Sequence, residues 1–204
     1  SPSYLEEEQL ETLFDIMHCD LNWETVEECT VECEPATLTM KKLHILQQQG
    51  VTRISLGIES LDDEVLRRAG RAANAEECIR SFHDIRDVGI NDINIDLLAG
   101  LPGETDESWR QTVEQVIELQ PDSVTLYQFE LRQNSGFYTL QKAGHPIDLA
   151  TWPEKRRFVD DGFAMLEAAG YTIVSGYMAV KNPMRWRSVH TLEQFWHGGD
   201  LLGV

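Results

Sequence analysis

Ile93-Asn94-Ile95-Asp96-Leu97-Leu98-Ala99-Gly100-Leu101-Pro102-Gly103-Glu104-Thr105 is an apolar run with one carboxylate inside it, closed by a Gly/Pro loop that opens a helix. Ile93, Ile95, Leu97 and Leu98 predict a strand buried on both faces, the pattern of a parallel sheet covered by helices. Such strands rarely hold an ionisable residue without a partner, so Asp96 demands a reason. The Gly-Leu-Pro-Gly turn lets the backbone come close to a ligand, and α/β folds place their sites at the C-terminal ends of parallel strands.

Helix and strand patterns alternate outward from this strand in both directions. Upstream, Ser3 followed by Glu6 reads as a capping box for an amphipathic helix carrying Leu10, Leu13, Phe14 and Met17. Residues 30–34 read as a short strand, residues 39–50 as a helix stopped by Gly50, and residues 53–57 as the next strand. Asn74 and Glu77 open a helix whose stripe of Cys78, Ile79, Phe82, Ile85 and Val88 stops at Gly89. Downstream, Asp106 caps a helix bearing Trp109, Val113, Val116 and Ile117, Pro121 ends it, and residues 123–129 alternate as a strand. Asn134-Ser135-Gly136 breaks the pattern, a long helix spans residues 153–169, and residues 171–174 begin a further strand. Repeated helix–strand units predict an α/β fold with a parallel sheet, either a barrel or an open doubly wound sheet. No G-x-G-x-x-G follows any of these strands, which weighs against the dinucleotide-binding form.

A chain of 204 residues with 42% hydrophobic and 25% charged residues has the composition of one soluble globular core. Its formal net charge of -18 argues against nucleic acid and anionic membranes as partners, because phosphate rewards clustered Lys and Arg. Eleven acidic residues precede Pro35 and the first basic residue is Lys41, a distribution read as a solvated helix face. No signal peptide, transit peptide or membrane-length apolar run is present, so the expected setting is cytoplasmic. Cys19, Cys29, Cys33 and Cys78 are expected to be reduced. The missing initiator Met and the closing Asp200-Leu201-Leu202-Gly203-Val204 suggest a piece excised from a longer chain.

Glu32, Glu59, Asp96 and Glu130 each fall in or just after a strand pattern, and in a parallel barrel the ends of successive strands converge on one mouth. Any one of them alone reads as a helix-capping acid; together they point to a site. Arg71 has the planar fork that takes a ligand carboxylate, although pairing with a surface acid is the commoner fate of such a residue. Cys29 and Cys33 have C-x3-C spacing, but Ala36 stands where a third cysteine would follow, so no iron–sulfur cluster is expected there and Cys33 reads as a packed strand residue. The histidines form no H-E-x-x-H and no close pair, so no metal ligand is assigned; His190, Trp196 and His197 mark a loop.

Ser1-Pro2-Ser3-Tyr4-Leu5 resembles the tail of a Gly-Gly-Thr-Pro loop, residues 31–35 a Glu-x-Asp-Pro strand, and residues 55–60 a Gly-Val-Gln strand. With Arg71, Asn94-Ile95-Asp96-Leu97, Gly100-Leu101-Pro102 and Asp200-Leu201-Leu202-Gly203, the set resembles the radical S-adenosylmethionine (SAM) family of oxygen-independent coproporphyrinogen III oxidase. The resemblance implies a partial TIM-like (β/α) barrel of parallel strands: residues 1–146 as its later part, residues 147–204 as a helix–strand unit and the start of a C-terminal extension.

It also implies roles. Ser1 and Glu32 meet the methionine end of SAM, Arg71 its carboxylate, Asp96 the ribose hydroxyls, Glu59 the same region, and the strand end at Glu130 the adenine. The 4Fe-4S cluster of the family is held by a C-x3-C-x2-C loop expected upstream of residue 1, so this fragment alone is expected to be inactive. The implied activity is that of an oxidoreductase in haem biosynthesis, using an electron donor and a 5'-deoxyadenosyl radical on a porphyrinogen or similar tetrapyrrole ring. Glu59 stands where the family usually has Gln, and Glu130 where a small or apolar residue is common. Two alternatives stay open: a haem chaperone of the same family, in which His190 is the residue to test, and a two-SAM radical methyltransferase, resembled by residues 127–131 with Asn134.

Overall fold

Four strands, β1 (Thr30–Cys33), β2 (Arg53–Glu59), β3 (Asp92–Ala99) and β4 (Ser123–Gln128), lie side by side and parallel in chain order in a computed structural model that describes residues 1–133 and 135–186. Asn134, His190, Trp196, His197 and residues 200–203, all singled out above, lie outside the described residues. Helix α2 (Met40–Gln48) links β1 to β2, α3 (Asp63–Ala69) and α4 (Ala75–Asp87) link β2 to β3, and α5 (Asp106–Leu119) links β3 to β4. These are the crossovers that parallel pairing requires. Ahead of them, α1 (Glu7–Asp20) packs on α2.

After β4 the pattern changes. Helices α6 (Gly136–Lys142) and α7 (Trp152–Ala168) lead to the strands β5 (Thr172–Ser175) and β6 (Met178–Val180), and α8 (Pro183–Trp186) follows. The sheet order is β1-β2-β3-β4-β6-β5, with β6 antiparallel to both of its neighbours. Only Gly176 and Tyr177 separate β5 from β6, too few residues for a crossover, so the chain folds back as a hairpin. The strand expected at 171–174 is present, but its partner β6 was not anticipated.

Alternation gives the sheet two unlike faces. Val31, Ile54, Leu56, Ile93, Ile95, Leu97, Val124 and Leu126 point to one face and are buried beneath the helices. Ser55, Asn94, Asp96, Ser123 and Thr125 share the other face, where Asn94, Ser123 and Thr125 are also buried. Strand β3 is therefore covered on both sides, as its sequence predicts, but its second side is polar.

Helix ends show where local chemistry decides. Asn74 and Glu77 form the expected capping box of α4. Ser3 instead lies in a 3-10 turn, Pro2–Tyr4, and α1 is capped by Glu6 with Gln9. Thr105 rather than Asp106 caps α5, and Thr151 with Glu154 starts α7 one residue earlier than expected. Helices α3 and α6 escape periodicity because α3 buries only Val65 and Leu66 and α6 buries nothing.

Gly100 ends β3 with φ +86, and a Cβ there would lie 2.5 Å from Cγ of Lys155. The stem of Lys155 crosses this glycine and its Nζ donates to the Phe129 carbonyl at 2.7 Å, tying α7 to the ends of β3 and β4.

Candidate functional site

The polar face of the sheet is a single hydrogen-bonded network that rises to Asp96. At its base, Arg53 Nη2 donates to Ser123 Oγ at 3.2 Å, and Arg53 Nε lies 3.5 Å from Asp92 Oδ1. Ser123 Oγ and Thr125 Oγ1 both donate to Asn94 Oδ1, at 2.8 and 3.1 Å. Asn94 Nδ2 passes the chain on to Ser55 Oγ at 2.9 Å and Asp96 Oδ1 at 2.8 Å, and Ser55 Oγ donates to Asp96 Oδ2 at 2.7 Å. Burial raises the pKa of Asp96, while hydrogen bonds from Ser55 and Asn94 and the charge of Arg53 pull it back. Each carboxylate oxygen still has acceptor capacity beyond these donors.

A second cluster sits at the ends of β1 and β2. Gly70 closes α3 in the left-handed region (φ 73), Arg71 N–H bonds back to the Leu66 carbonyl at 3.0 Å, and this turn delivers Arg71 to the strand ends. Arg71 Nη2 binds a Glu34 carboxylate oxygen, donates to the Gly57 carbonyl at 2.8 Å, and lies 3.8 Å from Glu59 Oε1. All three contacts run through one nitrogen, so Nη1 and Nε of the fork have no partner among them. Gly57 makes the cluster possible, since a Cβ there would lie 3.2 Å from Glu59 Oε1 and 3.6 Å from Arg71 Nη2. Glu59 follows a bulge in the β2–β3 register and holds φ 69, a conformation that costs a non-glycine residue on the order of 1 kcal/mol. Burial pushes the Glu59 pKa up to about 7; Arg71 opposes this, and Asp96 and Glu34 reinforce it.

Arg71, Glu59 and Asp96 therefore occupy one region of the strand ends. Ser1 and Glu32 are also brought together, but through the backbone: Ser1 Oγ donates to the Glu32 carbonyl at 2.7 Å, and the Glu32 residue is exposed. It is Glu34, two residues on and just past the end of β1, that reaches Arg71. Glu130 lies beyond β4, exposed, 3.9 Å from Arg132. Both line a cavity of about 580 Å³ with Leu98, Tyr127, Phe129, Trp152 and Tyr177. Tyr127 and Tyr177 stack at 5.9 Å and 18° on one wall.

Glu104, in the loop after β3, accepts from Gly100 N at 2.5 Å, while its other oxygen, Oε1, is buried with no hydrogen-bond partner. Burial pushes its pKa up to about 8 against hydrogen bonds from Gly100 and Leu101. A folded-state value above the ordinary carboxylate range means the folded chain holds a proton that the unfolded chain has released. Stability is thus full below the unfolded value near 4.5 and falls as pH rises through about 8. Thermal melts of wild type are expected to drop from pH 6 to pH 9, and Glu104→Gln to flatten that slope and gain a few kcal/mol at pH 9. Parallel slopes for the two proteins would refute this.

The cysteines make no cage. Burial raises the thiol pKa of Cys33 and Cys78 to about 12 and of Cys29 to about 11, and Cys19 is exposed. Among the described residues no group of three or more His, Cys, Asp or Glu is placed to hold a metal ion, and no helix is long and apolar enough to cross a membrane.

The radical SAM superfamily model matches residues 7–116, more than half of the chain. The chain belongs to the radical SAM superfamily. Its curated relatives include the haem chaperone HemW of Bacillus subtilis, 31% identical over 83% of this chain and 45% of the relative. The HemW of Escherichia coli is 30% identical over 100% of this chain and 52% of the relative. Oxygen-independent coproporphyrinogen III oxidase of Salmonella typhimurium is 27% identical over 85% of this chain and 38% of the relative. Among solved structures, coproporphyrinogen III oxidase (HemN) from Escherichia coli, described as a radical SAM enzyme, superposes with a TM-score of 0.77 at 26% identity, covering 89% of this chain and 41% of that one. The chain thus spans about half or less of the length of these relatives. Radical SAM proteins use S-adenosylmethionine and a 4Fe-4S cluster, and the partial (β/α) barrel that the parallel strands imply is the fold found.

Sequence reasoning named Asp96 and Arg71 but missed Glu34, Thr125 and the anchoring roles of Ser55, Asn94 and Ser123. For Asn94 the cue was present: spaced two residues from Asp96 on one strand, it had to share its face.

Proposed function

We propose that this chain is the SAM-holding part of a coproporphyrinogen III oxidase-like radical SAM enzyme, in which the strand ends bind the cofactor and the neighbouring cavity admits a porphyrinogen or similar ring. The observation that carries this reading is the pairing of a fixed, buried acceptor carboxylate, Asp96, with the Arg71 guanidinium, whose Nε and Nη1 donors take no part in its contacts to Glu34, Gly57 and Glu59. SAM carries two vicinal ribose hydroxyls and a carboxylate, and these are the groups that such an acceptor and such a cationic donor recognise. When bound at a cluster, the cofactor supplies one-electron hydrogen-abstraction chemistry. The residues of this chain bind and orient: Arg71 holds the methionine carboxylate, Asp96 the ribose, Glu59 the space between them, Ser1 and Glu32 the methionine end, and the β4 end before Glu130 the adenine. The cysteines described here do not suit the cluster, whose ligands we place in a C-x3-C-x2-C loop upstream of Ser1. Residues 147–204 then begin a C-terminal extension, and the whole protein acts in the cytoplasm with an electron donor.

The cavity supports a ring substrate: stacked Tyr127 and Tyr177 offer flat apolar surface, and Arg132 a partner for a carboxylate. A chaperone that binds haem through the same barrel is the second reading, favoured by the match to HemW along the whole of this chain and 52% of that relative, with His190 as its test residue. The discriminating experiment uses the full-length, cluster-loaded protein under anaerobic reducing conditions with coproporphyrinogen III. Formation of 5'-deoxyadenosine with loss of carbon dioxide is expected. A gain of methyl mass would favour the two-SAM methyltransferase, and haem binding lost in His190→Ala without decarboxylation would favour the chaperone. Failure to cleave or bind SAM would overturn the reading.

A further inference from the structure

Building on the SAM-binding reading, we infer that Asn94 is the positioning residue of the site: it fixes the Asp96 carboxylate as an ionised acceptor pair and thereby sets how strongly the protein tells a ribose from a deoxyribose. The argument rests on connectivity. Asn94 is 1% exposed, and all of its side-chain bonds are made within the sheet. Its carbonyl oxygen is clamped by two hydroxyls of β4, which orients the amide so that both N–H groups are spent on the next layer, one on Ser55 and one on Asp96. Ser55, having accepted from Asn94, must give its own proton to Asp96. The direction of each hydrogen bond from Arg53 through Ser123, Asn94 and Ser55 to Asp96 is thereby set, and each Asp96 oxygen accepts one donor from within the sheet. A carboxylate pinned at both oxygens loses no rotamer freedom on binding two hydroxyls, whereas an unpinned one does.

An aspartate at position 94 would fit the same space with the N–H donor removed and a like charge placed 2.8 Å from Asp96 Oδ1. Protonation restores one donor, so its defect should lessen in acid. The charged and titratable groups facing Asp96 are Arg53, Glu59 and Tyr127, and none of them differs between the variants compared.

The test measures equilibrium binding of S-adenosylhomocysteine and of its 2',3'-dideoxyribose analogue to the full-length protein, in wild type, Asn94→Ala and Asn94→Asp, from pH 5.5 to 8.5. Wild type should prefer the ribose form. Asn94→Ala should cut that preference by roughly tenfold while affinity for the dideoxy analogue stays within about twofold, and Asn94→Asp should regain part of it as pH falls. A merely structural role for Asn94 would weaken both ligands alike, and an unchanged ribose preference in folded variants would remove the assignment. Wild type that binds neither ligand would instead overturn the SAM reading. Should both position-94 variants melt out, Ser55→Ala, which deletes the other donor to Asp96, must show the same selective loss of ribose preference for the inference to stand.

Discussion

Arg71→Met in the full-length protein is expected to weaken S-adenosylhomocysteine binding by about two to three orders of magnitude, the cost of truncating one partner of a hydrogen-bonded charge pair. Two effects combine. The ligand loses its cationic donor, and the Glu34 and Glu59 carboxylates, which share the Arg71 guanidinium, are left facing each other and the incoming anion. Burial already pushes Glu59 up to about 7, and losing Arg71, the group that opposes this, moves it higher. Because the folded-state value lies above the unfolded one, the stability contributed at Glu59 is full below about pH 4.5 and falls as pH rises through about 7. The groups that face it are Arg71, Glu34 and Asp96. The two effects separate in a double variant. Adding Glu59→Gln to Arg71→Met should restore stability at pH 8 but leave binding poor, whereas Glu59→Gln alone should hold affinity steady where wild type loses it above neutrality. Titration calorimetry at pH 6 and 8 reads the binding and thermal melts at the same pH values the stability, and an Arg71→Met affinity within twofold of wild type would remove Arg71 from the site.

The same cluster shows what the sequence could and could not convey. Strand-end acids at Glu32, Glu59, Asp96 and Glu130 were legible because alternation and turn chemistry locate strand ends. Which of two acids spaced two residues apart reaches Arg71 was not, since Glu32 and Glu34 share a face and only the end point of β1 separates them. The parallel part of the fold followed from repeated helix–strand units. The β5–β6 hairpin did not, because Met178-Ala179-Val180 is too short to carry a period. The bulge that lets Glu59 adopt φ 69 is likewise invisible in sequence, since it answers to packing around Gly57 and Arg71 rather than to any local preference.

The largest stability effect is expected away from the ligand, at Trp109. This side chain is 2% exposed on α5, stacks on Phe158 of α7 at 6.2 Å and 27°, and donates from Nε1 to the Phe158 carbonyl at 2.6 Å. Gly162 gives it room: a Cβ there would lie 3.1 Å from the indole and 3.0 Å from Leu126. Trp109→Ala should cost about 3–5 kcal/mol, from lost transfer energy and the cavity left between α5, α7 and β4. For a domain of this size that corresponds to a fall in melting temperature of roughly 6–20 °C. Trp109→Phe keeps most of the buried ring and loses the N–H donor, so it should cost only about 1 kcal/mol. The consequence reaches the site because α7 also carries Lys155, whose stem fills the turn at Gly100 and whose Nζ caps Phe129 at the end of β4. Loosening the α5–α7 contact therefore frees the wall of the Tyr127–Tyr177 cavity before the Asp96 network, which is bonded within the sheet. Hydrogen exchange on Trp109→Ala should show faster opening at residues 126–130 while residues 93–96 stay protected, and equal loss of protection in the two segments would contradict that order.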